Sequence, residues 1–134
     1  MRDLFSGPEE CKIARLVETA DQLTECVREC SDTRFLTFDV ETTGFYTFKS
    51  HRICGIGLKA ADRKGWYIPM RHENHEHKIP LETVLRALSD IFGTAPQLIA
   101  HNAKFDLEFL RVEGIEPSGF CHDTMVMAHL ENEN

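Results

Sequence analysis

Two carboxylates one residue apart, at the end of an apolar segment, constrain this chain more than any other feature. Asp39 and Glu41 follow an apolar run and precede a Thr-Thr-Gly turn. Because side chains alternate between the faces of a strand, both acids point one way, while Phe38 and Val40 point the other. Neighbouring anions repel unless a cation lies between them, and their oxygens suit Mg²⁺ or Mn²⁺. The alternative is a strand edge with two solvated acids.

A third acid lies near the start of a predicted helix. Residues 97–101 have the pattern of a short buried strand, and residues 102–114 have that of an amphipathic helix. Asn102 is a favourable N-cap, and Asp106 sits about one turn in, where the helix dipole favours an anion. The predicted apolar stripe consists of Phe105, Phe109 and Val112. Junctions between strands and helices are where α/β folds place ligand-binding groups. An ordinary amphipathic helix is the alternative.

The rest of the chain predicts a mixed α/β architecture. Strands are expected at residues 12–17, 34–41, 52–58 and 65–70. One helix is expected from Thr19 or Asp21 to Cys30, and another from Pro80 to Phe92. The second helix has an apolar side made of Leu81, Val84, Leu85, Leu88 and Ile91. Strands followed by strand–helix units predict a mixed sheet with the acids gathered at its strand ends.

Two motifs in this order resemble a known family. Phe38-Asp39-Val-Glu41-Thr-Thr-Gly, followed by His101-Asn102-Ala-Lys104-Phe-Asp106-Leu, is similar to the first two motifs of the DEDD 3′–5′ exonucleases. The closest resemblance is to the proofreading domain of family A DNA polymerases, the DNA polymerase I type. Residues 120–130 also resemble the family's Asp-Thr-Met helix. The resemblance implies a ribonuclease H-like mixed sheet flanked by helices over residues 12–134, preceded by a tail at residues 1–11.

The third motif of that family has no counterpart here. Neither Tyr-x-x-x-Asp nor His-x-x-x-x-Asp occurs after Asp106. We therefore expect three of the family's four acids in this chain, and a domain that is incomplete at its C-terminal side. Asp123 is a conceivable substitute acid, but capping of the helix that follows it is the simpler interpretation.

The resemblance also implies a mechanism and a set of site residues. Two Mg²⁺ or Mn²⁺ ions would support hydrolysis of a phosphodiester bond, with Asp39, Glu41 and Asp106 as catalytic metal ligands. The residues expected to contact substrate are Thr42, Phe45, Asn102 and Lys104. For Phe45, a core or loop-anchoring role is the alternative to stacking on a base. For Lys104, the alternative is an exposed helix lysine.

The net charge of the chain limits the kind of nucleic acid that it can bind. A net charge of −7 has the wrong sign for gripping duplex nucleic acid through its phosphates. Metal ions supply positive charge locally, which suits single strands, and the resemblance implies a DNA 3′ end as the partner, with a polymerase domain in cis or in trans. A non-catalytic exonuclease-like module and a ribonuclease D-type RNA exonuclease are the alternatives. The Asp-Thr-Met helix and the Thr-Thr-Gly turn favour DNA over RNA.

Composition suggests a compartment. Five cysteines, without paired Cys-x-x-Cys spacing, indicate reduced thiols and a cytoplasmic protein. No apolar run approaches the roughly 20 residues that span a bilayer, so no membrane partner is expected. His72, His75 and His77 form a polar segment that we interpret as a solvated loop rather than a metal site, and we assign it no role.

Overall fold

Alternating apolar residues form the central strand of a six-stranded sheet. The computed structural model describes residues 13–132, so the predicted tail at residues 1–11 lies outside the described part. The strands are Ala14–Leu16 (β1), Leu36–Thr42 (β2), Ile53–Ala60 (β3), Gly65–Pro69 (β4), Gln97–Ala100 (β5) and Phe120–Asp123 (β6). Their order in the sheet is β1-β4-β3-β2-β5-β6. The strand β2 is antiparallel to β3 and parallel to β5, which confirms the mixed sheet.

Within the part of the chain that the structure describes, four α-helices accompany the sheet, and the first is encoded locally. They are Ala20–Ser31 (α1), Leu81–Thr94 (α2), Ala103–Val112 (α3) and Thr124–Glu131 (α4). Thr19 caps α1 by accepting from the backbone N–H of Gln22, while the Gln22 side chain accepts from the backbone N–H of Thr19. This reciprocal capping box fixes the helix start within four residues of sequence.

The core lies between the sheet and α1 with α2. Phe38, on the buried side of β2, meets Phe92 of α2 edge to face, with ring centroids 5.0 Å apart. The stripe expected for α2 is confirmed, because Val84, Leu88 and Ile91 are buried. The other two members of that stripe, Leu81 and Leu85, are partly buried against the core.

Two expectations about the later part of the chain were wrong. The strand β6 was not predicted, and it pairs in parallel with β5. In α3 the side chain expected in the stripe, Val112, is 41% exposed, whereas Leu110 is fully buried. Both positions fit an amphipathic spacing, and packing against the sheet selects Leu110.

The topology brings several chain segments to one edge of the sheet. Because β2, β5 and β6 run in parallel, their carboxyl ends meet at the same edge. The acids of β2 lie near its carboxyl end, and α3 and α4 begin at the ends of β5 and β6. Open α/β sheets bind ligands at such edges. Within residues 13–132, no helix is both long and apolar enough to cross a bilayer.

Candidate active site

Asp39 and Glu41 share the exposed face of β2, as the alternation of the sequence predicts. Leu36, Phe38 and Val40 are buried, and the residues between them are exposed. The backbone shifts register between Glu41 and Thr42, at a bulge that ends the regular pairing with β3. Bulges commonly occur next to functional sites, where they re-aim side chains. The two acids therefore lie side by side on solvent-facing strand at the edge described above.

The strand beside the acids has no side chains opposite them. Gly57 pairs with Asp39, and Gly55 pairs with Glu41. A Cβ atom added at Gly57 would find no contact closer than 3.9 Å, so the surface next to Asp39 is open. Glycine inside a strand is typical of places where another group approaches the backbone closely.

Asp106 is brought to the same place by α3, but it is buried. Its exposed fraction is 3%, and its Oδ2 atom has no hydrogen-bond partner. Burial raises the pKa of Asp106 to about 7, and repulsion from Asp39 adds to the rise, with smaller contributions from Asp123 and Glu41. The three predicted acids are therefore close enough to act on one another electrostatically.

The first turn of α3 is capped by a residue from elsewhere in the chain. Asn102 precedes the helix, as predicted, but its backbone is left-handed at φ 65° and its side chain makes no capping hydrogen bond. The expectation that Asn102 caps α3 was therefore wrong. Asp123 accepts instead, from the backbone N–H of Asn102 at 3.0 Å and of Ala103 at 2.8 Å.

Asp123 also caps α4, which confirms the capping interpretation of this residue. Its Oδ1 atom accepts from the backbone N–H of Met125 at 2.9 Å. Burial alone would raise the pKa of Asp123, but the backbone N–H groups of Asn102, Ala103, Met125 and Val126 outweigh it and lower the pKa. The sequence pattern identified the local cap on α4 and gave no signal for the distant one on α3.

The remaining predicted residues lie close in sequence to the acids. Thr42 donates its hydroxyl to the carbonyl of Gly44 at 2.7 Å, which fixes the turn after β2. Phe45 follows this turn with 79% of its surface exposed, so the alternative of a core role for Phe45 is wrong. Lys104 lies on the exposed side of the first turn of α3.

The donor set suits divalent cations that keep part of their water shell. Among residues 13–132, no group of three or more His, Cys, Asp or Glu side chains lies close enough to hold one ion alone. Mg²⁺ usually binds through one or two carboxylates and completes its shell with water and substrate phosphate. Asp39 and Glu41, with the unpartnered Oδ2 of Asp106, provide such carboxylates.

One neighbouring residue was not found from the sequence. Tyr67 of β4 pairs with Gly57, which places its ring on the same sheet face as Asp39. Its hydroxyl is 2.7 Å from Nε2 of His72. Burial raises the pKa of Tyr67 to about 12, and Cys54, Glu41 and Asp39 add to the rise. The alternating glycines of β3 were the available signal, because they leave the face open to this ring.

Comparison with known proteins identifies the family. A family model described as 3′–5′ exonuclease matches residues 14–134. The DNA polymerase I of Chloroflexus aurantiacus is 35% identical over 84% of this chain, and that of Borreliella burgdorferi is 26% identical over 90%. The chain spans 12% and 13% of the lengths of these two relatives. The chain therefore belongs to the 3′–5′ exonuclease family, and it is an exonuclease domain of the DNA polymerase I type.

Solved structures confirm the fold class. Trypanosoma brucei RNase D in complex with RNA U12 matches with a TM-score of 0.70 and 16% identity, over 87% of this chain and 39% of that one. The Aedes aegypti Nibbler EXO domain matches with a TM-score of 0.63 and 14% identity, over 93% and 59% of the two chains. These likenesses establish the ribonuclease H-like fold that the motifs implied.

Proposed function

We propose that this chain acts as a proofreading-type 3′–5′ exonuclease, hydrolysing phosphodiester bonds at DNA 3′ ends with two divalent cations. The observation that carries the proposal is the placement of Asp106, a buried carboxyl group with an unpartnered oxygen beside Asp39 and Glu41. Burying an acid without a partner is costly, so such a group needs a compensating ligand. A cation shared with the two exposed acids is the ligand that matches their charge and chemistry.

Asp39, Glu41 and Asp106 would hold the ions, and each would contribute differently. When bound, the ions would activate a water molecule and stabilise the departing 3′ oxygen. The exposed acids Asp39 and Glu41 are accessible to hydrated ions arriving from solvent. Burial raises the pKa of Asp106 to about 7, so this group would be partly protonated near neutral pH and would give up that proton on binding a cation.

The residues around the acids would orient a single strand. Thr42 directly follows Glu41 and its hydroxyl fixes the next turn, after which Phe45 presents an exposed ring on which a base can stack. Asn102 and Lys104 flank Asp106 at the start of α3, where a phosphate would meet a cationic side chain. This arrangement favours an unpaired 3′ end in a chain whose net charge is −7.

Two alternative functions are distinguishable. An RNA exonuclease is the first, since one structural neighbour is an RNase D bound to RNA. DNA is favoured because the relatives with 35% and 26% identity are DNA polymerases. A non-catalytic module is the second, because among residues 13–132 no group of three or more His, Cys, Asp or Glu side chains is placed to hold one ion alone. A polymerase domain, in cis or in trans, is part of the proposal because those relatives carry one.

A nuclease assay tests the proposal. The full chain is incubated with a 5′-labelled single-stranded oligodeoxynucleotide, with Mg²⁺, Mn²⁺ or EDTA, and the products are separated at single-nucleotide resolution. We expect little or no turnover from these 134 residues alone, because they carry three of the family's four acids. From a protein extended through the third motif we expect shortening from the 3′ end with either metal and none with EDTA. The double variant Asp39→Asn with Glu41→Gln should reduce the rate more than about a hundredfold, because both groups are metal ligands.

The controls separate the alternatives. An oligoribonucleotide of the same sequence reports RNA preference, and faster cleavage of it would replace the DNA assignment. Mn²⁺ binding without shortening of either strand would favour the non-catalytic module. If Mn²⁺ neither bound nor supported cleavage, or if the double variant cut as fast as the parent, the proposal would be wrong.

A further inference from the structure

The start of α3 depends on a side chain from another strand. The first N–H groups of any helix lack partners inside the helix and must be satisfied from outside. In α3 the preceding residue, Asn102, is left-handed and its side chain accepts no hydrogen bond from the first turn. Both oxygens of Asp123 fill this role, Oδ1 accepting from Asn102 and Oδ2 from Ala103.

The same carboxylate ties two turns of the molecule together. Its Oδ1 atom also accepts from Met125 in the first turn of α4. The next residue, Thr124, adds a second tie, because its hydroxyl lies 3.0 Å from Nδ1 of His101 and 3.3 Å from the carbonyl of Ala100. Hydrogen bonds therefore hold the turn between β5 and α3 against the turn between β6 and α4.

These hydrogen bonds hold the part of α3 that carries Asp106, the buried acid of the proposed site. Asp106 lies in the first turn of α3, three residues after Ala103, whose N–H is held by Asp123. The rotation and depth of that turn decide whether the Asp106 carboxyl faces Asp39 or turns away from it. Rigid support of this kind is what keeps metal ligands in productive geometry.

We propose that Asp123 is a positioning residue, which holds the first turn of α3 so that Asp106 faces Asp39 and Glu41. The proposal rests on the proposed function, in which these three acids bind divalent cations. Asp123 serves the site through α3, because its two oxygens are engaged by backbone N–H groups of both helices. Direct ligation by Asp123 is the competing role that the experiment must separate.

Two substitutions of Asp123 distinguish its hydrogen bonding to α3 from its negative charge. Asp123→Asn and Asp123→Ala remove the same negative charge, but only asparagine keeps an oxygen that accepts from a backbone N–H. Thr19→Ala is the matched control, since it removes the cap of α1, where the capping box is local. All three variants weaken or remove a helix cap, and only the first two affect the helix that carries Asp106.

Two readouts on the full chain are needed. Amide hydrogen exchange at Ala103 and Phe105, without metal, reports the first turn of α3, and Mn²⁺ titration followed by electron paramagnetic resonance reports the site. We expect Asp123→Ala to accelerate exchange there and to weaken Mn²⁺ binding by roughly tenfold or more. The asparagine variant should fall between alanine and the parent in both readouts, and Thr19→Ala should match the parent in both.

The outcomes that would overturn the inference are distinct from failure of the proposed function. Equal Mn²⁺ affinities for the asparagine and alanine variants would mean that charge alone matters and that Asp123 is not a positioning residue. Unchanged exchange at Ala103 together with weakened Mn²⁺ binding in the asparagine variant would overturn it too, because charge and not support of α3 would then set the affinity. This result is available even if the alanine variant does not fold. Absence of Mn²⁺ binding by the parent would refute the proposed function, while the exchange data would still decide the role of Asp123.

Discussion

Two buried carboxylates in this molecule have opposite surroundings. Glu29, in α1, is 7% exposed, and Asp106, in α3, is 3% exposed. Glu29 accepts two hydrogen bonds from the Arg15 guanidinium and a third from Trp66 Nε1 at 3.0 Å. The bonds from Arg15 lower the pKa of Glu29, with burial opposing and Trp66 assisting. Asp106 has an oxygen without a partner, and burial raises its pKa to about 7.

The difference separates a structural acid from a functional one. A buried charge that is fully paired and hydrogen-bonded is tolerated within a fold, as Glu29 is. A buried acid that faces other acids weakens the fold unless a ligand neutralises it, as we propose for Asp106. Perturbed acids of the second kind are concentrated at functional sites. Burial alone would not have distinguished the two, but the partners of each carboxylate do.

Asp106→Asn should produce the largest effects. We expect loss of more than about a hundredfold in metal-dependent cleavage, because a metal ligand is removed. Without metal at pH 8, the same variant should be more stable than the parent by an amount on the order of 1–4 kcal/mol. Urea unfolding at several pH values, with and without Mn²⁺, measures the second effect.

The pH dependence of that difference has a definite sign. The pKa of Asp106 is raised from 3.8 to about 7 on folding, so the folded chain binds the extra proton between these values. The contribution of Asp106 to stability is therefore present at acid pH and lost as the pH rises through about 7. A gain from asparagine that was equally large at pH 4 and pH 8 would contradict the assignment.

Glu29→Gln should lower the free energy of unfolding, whereas Asp106→Asn should raise it. Because a charged partner of Arg15 is lost inside the fold, we expect a decrease of about 1–3 kcal/mol in the free energy of unfolding at pH 7. The pKa of Glu29 is lowered on folding, so its contribution exists above the ordinary value of 4.5 and disappears as the pH falls through the folded-state value. Cleavage should be unchanged, and a selective loss of Mn²⁺ affinity would contradict a purely structural role.

The smallest expected effect contrasts two exposed rings, one proposed to contact substrate and one not. Phe45, four residues after Glu41, is 79% exposed, and Phe120, at the start of β6, is 70% exposed. Phe45→Ala should raise KM for single-stranded DNA about fivefold with little change in kcat, because roughly 1 kcal/mol of base stacking is lost. The matched variant Phe120→Ala should leave KM unchanged, and equal effects of the two would remove Phe45 from the substrate site.

Local signals explain which features the sequence predicts. The capping box at Thr19 and Gln22 and the alternation in β2 are contained in a few neighbouring residues, so α1 and the acid pair are predictable. The cap of α3 is supplied by Asp123, twenty-one residues from Asn102, and no local pattern encodes it. The strand β6 begins at the exposed Phe120 and lacks a clear alternation, so the parallel pairing with β5 defines it.

The burial of Asp106 is likewise a tertiary property. Its position in the helical pattern predicts an acid in the first turn, where the dipole is favourable. Its raised pKa arises first from burial in the fold and then from repulsion by Asp39 of β2, and one of its oxygens has no partner. The motif thus predicts which residues meet, and the fold determines how each carboxyl group is solvated.

The most direct test of the account is a crystal of the full chain soaked in Mn²⁺, with data collected to show anomalous scattering. We expect a peak in contact with the carboxylates of Asp39 and Asp106, with Glu41 at the same or an adjoining ion. No peak at these residues, or a peak only at the His72–His77 segment, would contradict the claim that the three acids form a cation site.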